Sequence, residues 1–398
     1  MAKLKQNKIL LLTVLLSVLA VFAGSLTAPI EMNFVNSVLQ DDSLASLVFT
    51  VGTIASLIGV LLINKIVVTK SGNKKALSVL FLFLVFLPIL YANSFNMLTI
   101  YGVKFAWALA AAGVGPIVNS ILQTELNRNK NTKVGLAYGW IYAVESGTGM
   151  AAALLGGVLA DLLGFGVVFF LVSLVFLAQF VVVQLILRED QKIDISRKKT
   201  EQKGGLREGI KYVFSNRELL LRIMLDTAFK IAWNTKVILY PLIILSVVDL
   251  NTVVGAVMAM QGLAAMLVLP LVGKLVDSKG YRNVLLVGYM ILAVGLLIFG
   301  LSGSIAILFV AAVLVAIGEA CNGPAMATLE VRAIPDRLRN SVNSFHQVYG
   351  TLLSIAATAA IALLLVHFDA QAIIIGMSGV VVLILFVGFA FVDRKKLA

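Results

Sequence analysis

Apolar residues run along this chain in twelve long stretches: 9–30, 44–64, 76–93, 97–122, 134–159, 165–187, 219–245, 253–273, 284–301, 304–328, 341–366 and 370–391. Each is long enough to cross a hydrocarbon core of roughly 30 Å as a helix, where every backbone polar group must be satisfied within the segment. The pattern predicts an all-α polytopic membrane protein with twelve transmembrane helices in two pseudo-symmetric six-helix bundles. Only one connection is long. It divides the chain into an N-terminal bundle, 1–187, a central loop, 188–218, and a C-terminal bundle, 219–398. The first part of that loop is polar. Its second part places Leu206, Ile210, Val213 and Phe214 on one helical face, which predicts a short amphipathic helix at the membrane surface. The opening stretch is long and no A-x-A site closes it, so it predicts a first membrane helix rather than a signal peptide.

The polar residues between the stretches sort by sign. Of 32 Lys and Arg, only Lys104, Arg222, Lys230 and Lys236 fall inside a stretch. The other 28 occupy the two termini and alternate connections, beginning with Lys3, Lys5 and Lys8 and ending with Arg394, Lys395 and Lys396. The intervening connections hold Asp41, Asp42, Asp161, Asp249 and Asp369 and no basic residue. The positive-inside rule produces this sorting. It predicts an integral protein of the cell (cytoplasmic) membrane with both termini cytoplasmic.

Composition agrees. The chain is 60% hydrophobic and 13% charged, against about 25% charge in soluble domains. The formal charge of +12 sits mostly in short loops, where its partners are anionic lipid head groups rather than nucleic acid. Cys321 is the only cysteine, so no intramolecular disulfide forms, and no metal-ligand spacing is present. Gly-x-Gly patterns such as Gly113-Val114-Gly115 lie inside apolar stretches, outside any strand–turn–helix context. Neither a cofactor nor an enzymatic reaction is expected.

The halves repeat weakly. Gly115-Pro116 matches Gly323-Pro324 at a separation of 208, as Gly72 matches Gly280 and Lys74 matches Arg282. Paired halves are the repeat pattern of alternating-access carriers. The segment Gly273-Lys274-Leu275-Val276-Asp277-Ser278-Lys279-Gly280-Tyr281-Arg282 resembles the G-x-L-x-D-x-x-G-x-[RK] loop of the major facilitator superfamily. That resemblance implies a conformational latch at Gly273, Asp277, Gly280 and Arg282, and Asp277 can cap a helix or pair with Arg282 or a neighbouring basic residue. The first-half copy departs from the pattern, with Lys65 in place of glycine and Thr69 in place of aspartate. This argues against the superfamily's usual first-half charge relay. In the fifth stretch Gly156-Gly157 resembles the end of the glycine-rich motif of drug–proton antiporters, whose Gly-Pro is missing here. The segment Leu206–Arg217 also resembles the central loop of exporters in this superfamily. The implied function is export of drug-like solutes.

Ionisable groups inside a span mark a cavity or a bundle interior. Glu145 falls near mid-depth and shares a face with Gly149, Ala152 and Gly156, so it points into protein. It is either a proton-titrating or solute-binding group, or a structural hydrogen-bond partner. Glu319 precedes Asn322-Gly323-Pro324, where proline permits a kink, and the same two alternatives hold. Arg222, Asp226 and Lys230 recur at i, i+4 and i+8, which makes Asp226 and Lys230 a switchable or a static ion pair. Lys236 faces an outer cavity or the membrane surface, and Lys104 either balances Glu145 or meets an anionic solute. Trp107, Trp140, Tyr142, Trp233, Asn119 and Asn322 are candidate cavity residues. Aromatic rings there either stack on flat apolar solutes or pack against helices and lipid. His346 lies near the cytoplasmic edge of the eleventh stretch and is a weaker candidate.

Taken together, these residues predict a monomeric secondary transporter working by alternating access. Its leading form is proton-coupled export of amphipathic or drug-like small organic molecules. The alternative is transport of an anionic solute or lipid on Lys104, Lys230 and Lys236, and a further one is a non-transporting receptor or scaffold.

Overall fold

The computed structural model describes residues 2–62, 69–128, 134–186 and 206–393. Among the described residues all regular structure is helical. The first helices are α1 (Ala2–Thr27), α2 (Glu31–Leu39), α3 (Asp42–Leu62), α4 (Thr69–Ala92), α5 (Met97–Arg128), α6 (Val134–Leu163) and α7 (Phe165–Ile186). They are followed by α8 (Leu206–Ser215), α9 (Arg217–Val247), α10 (Asn251–Lys279), α11 (Tyr281–Leu301), α12 (Ile305–Ala333), α13 (Asp336–Leu364) and α14 (Ala370–Asp393). Among the described residues eleven helices are long and apolar enough to cross a membrane, and α1 with α2, bent by 42° at their junction, counts as a twelfth where the pair forms one span.

That junction corrects the expected end of the first span at residue 30. Pro29 has no N–H to continue the helix. The chain turns there through Ala28 N–H to the Gly24 carbonyl (3.1 Å) and Ile30 N–H to the Thr27 carbonyl (3.0 Å). It then resumes as α2, which buries Met32, Phe34 and Val35. Several other helices also outrun their apolar stretches, since the helical backbone continues into polar residues beyond the hydrocarbon. The Gly273–Arg282 segment, expected as a loop, is helical through Lys279. Only Gly280 interrupts it, with a φ of 82° that favours glycine.

The chain forms two compact units. The first contains residues 1–193 together with Leu250–Ala259, and the second Asp194–Asp249 together with Met260–Ala398. In the first unit α3 packs on α5, α4 on α7, and α1 on both α6 and α7. The α1–α6 crossing is set by glycine: a Cβ at Gly156 would lie 2.0 Å from the Leu26 carbonyl oxygen. The start of α10 groups with this unit. Asp161, expected in an outer loop, is instead the acceptor at the end of α6 for three donors there. They are Asn251 N–H (3.0 Å), Asn251 Nδ2 (2.8 Å) and Thr252 N–H (2.6 Å). A carboxylate at a helix N-terminus satisfies otherwise orphaned N–H groups. Asp161→Ala should therefore lower stability by about 1–2 kcal/mol, the usual loss for a cap, with Asp161→Asn intermediate. Thermal unfolding in detergent checks the order of the three proteins.

In the second unit α11 packs on α12, α9 on α14, α13 and α12, and α8 on α13. Asn216 caps α9 by accepting from Glu218 N–H (3.0 Å) and Leu219 N–H (3.4 Å). The amphipathic helix α8 buries Val213, and its Tyr212 hydroxyl donates to the Ala333 carbonyl at 3.1 Å. Phe214 stays 60% exposed beside the Phe345 ring.

Candidate functional site

Among the described residues, each unit holds a lysine and a glutamate in mutual contact inside the helices. In the first unit the Lys104 ammonium on α5 pairs with Glu31, the opening residue of α2. The Tyr91 hydroxyl on α4 donates to the same carboxylate at 3.2 Å. The ammonium lies 5.6 Å from the Phe49 ring centroid, 5.7 Å from Trp107 and 5.9 Å from Tyr91. Cation–π attraction from three rings adds to the ion pair. The rings are fixed in turn, since Tyr91 and Trp107 both stand edge-on to Phe169. Glu31 also sits where the α2 dipole favours negative charge.

Glu31 is the functional candidate that sequence inspection passed over. The break makes it interior, because α2 carries the buried run beyond Pro29. Its sequence signal was a carboxylate two residues after that proline, with apolar residues resuming at Met32. Lys104 consequently balances Glu31 and not Glu145. Glu145 instead accepts a hydrogen bond from the Ser17 hydroxyl on α1. Gly149 on the same face of α6 lies against Ser25 and Val21 of α1.

In the second unit the Lys236 ammonium on α9 donates to both Glu319 oxygens on α12, at 2.7 and 2.6 Å. The side chains are only 9% and 15% exposed, so Lys236 is an interior residue and not a membrane-surface one. The Trp233 ring covers the ammonium at 4.2 Å and stacks on Phe229. Asp226 pairs with Arg222 at 3.5 Å rather than with Lys230, which has no ion-pair partner among the described residues. Asn322 accepts from the Tyr289 hydroxyl at 2.9 Å. His346 is buried near Arg222, and neither ring nitrogen has a hydrogen-bond partner among the described residues.

The remaining candidates scatter. Tyr142 and Trp233 are exposed on the helix surface. The side chains of Asn119 and Trp140 lie outside the described residues. Of the latch candidates, Arg282 pairs with Glu218 at 2.9 Å and not with Asp277, which is exposed. Gly273 lies within α10, and Gly280 forms the helix junction. Glu218 was missed by the sequence reading, because nothing in the spacing brings it to Arg282 across 64 positions.

Eleven apolar helices and one bent pair, with ion pairs held inside the helical units, define a polytopic integral membrane protein. The chain belongs to the Major Facilitator Superfamily, whose family model matches residues 10–251 and 228–398. It is 28% identical over 290 residues to "Multidrug resistance protein MdtG" of Rahnella sp. (strain Y9602), across 67% of this chain and 66% of that protein. It is 30% identical over 193 residues to the protein of the same name from Dickeya zeae (strain Ech586), across 47% of this chain and 45% of that protein. The first alignment thus falls just short of two thirds of the relative's length. Among solved structures, nucleoside transporter NupG superposes with a TM-score of 0.76 at 12% identity, over 97% of this chain and 100% of that one. An auto inhibited POT family peptide transporter also gives 0.76, at 13% identity and 97% coverage of both chains. These two likenesses show the fold.

Proposed function

We propose that this transporter exports amphipathic or drug-like organic molecules in exchange for protons, by alternating access in the cell membrane with both termini cytoplasmic. The observation that carries the reading is the pair of interior lysine–carboxylate contacts, Glu31–Lys104 and Glu319–Lys236, one in each unit. A proton on either carboxylate cancels the charge that holds its lysine and frees that side chain to change partner. Protonation leaves the lysine charge uncompensated inside its unit, a cost that drives the side chain toward another acceptor. The multidrug names of the partial relatives support the solute class. The anionic-solute alternative has less support, because Lys104 and Lys236 are already engaged by carboxylates and only Lys230 remains.

The test is flux of ethidium in proteoliposomes with an imposed proton gradient. Glu31→Gln and Glu319→Gln are expected to reduce gradient-driven export to the level of protein-free vesicles while retaining gradient-independent exchange. Glu145→Gln keeps an acceptor for Ser17, so loss of coupling there would mark Glu145 as a proton carrier and not a packing residue. Unchanged gradient dependence in both Glu31→Gln and Glu319→Gln would overturn the reading.

A further inference from the structure

Inside the first unit, sharing the Trp107 ring with its ion pair, lies a cavity of about 340 Å³ between α1, α4, α5 and α7. That is within the size range of pockets for drug-like molecules. Its walls are apolar, with the rings of Phe81, Trp107 and Phe176 supplying flat surface. Ala20 and Gly24 of α1 and Gly115 of α5 stand on its rim and are exposed. A Cβ at Gly24 or Gly115 would meet nothing within 4 Å. These two glycines therefore do not bring helices together, unlike Gly156, and what they leave is open space.

Two polar side chains reach the wall, and each keeps free acceptor capacity on its oxygen. Ser17 gives its hydroxyl hydrogen to Glu145, which leaves the Oγ lone pairs as acceptors. Gln179 is completely buried and donates Nε2 to the Leu16 carbonyl at 2.9 Å. Its Oε1 has no hydrogen-bond partner among the described residues. A buried acceptor without a donor is a standing cost that a ligand can relieve by supplying one. Oxygen acceptors on apolar and aromatic walls favour a donor-bearing apolar molecule and disfavour a carboxylate, which brings only acceptors.

We infer that this cavity binds an uncharged molecule with an aromatic body and one hydroxyl or N–H donor, the donor going to the Ser17 and Gln179 oxygens. The inference rests on the exporter reading only in naming a solute class for it, because occupancy is measured without a gradient.

The experiment follows quenching of Trp107 emission in the full chain carrying Trp140→Phe and Trp233→Phe, in phosphatidylcholine nanodiscs. The probes are 1-naphthol and 1-methoxynaphthalene, the same ring without the donor. Naphthol is expected to bind about five- to tenfold more tightly, the usual worth of one such hydrogen bond. Ser17→Ala/Gln179→Met should erase that preference while leaving methoxynaphthalene binding in place. Gly24→Leu should abolish binding of both by filling the mouth, and Gly115→Leu provides the same block from α5 should the first variant fail to fold. Equal affinity for the two probes, or naphthol binding that survives both blocks, overturns the inference. So does a cavity held by a lipid chain, seen as a bound phospholipid in native mass spectrometry that Gly24→Leu releases and naphthol does not displace. Loss of gradient-driven flux with the donor preference intact would count against the exporter reading alone.

Discussion

Lys236→Ala is expected to lower the thermal midpoint of the purified protein by on the order of 10 °C and to abolish transport. The Lys236 ammonium holds both oxygens of Glu319, and neither side chain is appreciably exposed. Removing the cation alone strands a carboxylate among apolar helices, a change that costs about 3–5 kcal/mol in buried pairs. Each kcal/mol corresponds to roughly 2–4 °C in a unit of this size. The double variant Lys236→Met/Glu319→Gln removes both charges and should recover most of the midpoint while transport stays lost. A Lys236→Ala protein that melts like the wild type would show that Glu319 is compensated from elsewhere. Recovery of transport in the double variant would show that the pair is not needed for the cycle.

Gly156→Ala should destabilise the first unit by about 1–3 kcal/mol or more, the range for forcing atoms into a well-packed contact. The added carbon would lie 2.0 Å from the Leu26 carbonyl oxygen and 2.9 Å from its carbonyl carbon, so α6 must move away from α1. The Ser17–Glu145 hydrogen bond bridges the same two helices and should lengthen or break with it. Gly24→Ala is the internal control. It faces open space, and alanine gains up to about 1 kcal/mol over glycine in a helix. Thermal unfolding of the two variants side by side decides the matter: equal midpoints would mean that the α1–α6 contact adapts at no cost.

The order of spans was legible because crossing a membrane imposes one rule on every stretch: about twenty apolar residues with no exposed backbone. The interior charges were legible for the related reason that an ion inside a span is conspicuous. Their pairing was not. Lys104 meets Glu31 across 73 positions and Lys236 meets Glu319 across 83, and helical periodicity carries no information over such separations. Glu31 was also hidden because the first stretch was ended at residue 30, whereas α2 resumes the helix at an angle. The i, i+4 rule did serve for Arg222 and Asp226, where both partners lie on one helix. The cavity beside Gln179 had no sequence signal, since it arises from side chains that are absent at Gly24 and Gly115.

Gly280 carries a mechanical consequence. Helices α10 and α11 are joined through this one residue, with the helical backbone intact up to Lys279 and resuming at Tyr281. A connection of that length has no slack: consecutive Cα atoms are 3.80 Å apart whatever the dihedrals. The C-terminal end of α10 therefore cannot slide without dragging the start of α11, so the two helices behave as a crank with a single joint. The Arg282–Glu218 contact, one turn from that joint, ties the crank to the start of α9. Any movement of the eighth span is thereby delivered to the ninth and seventh.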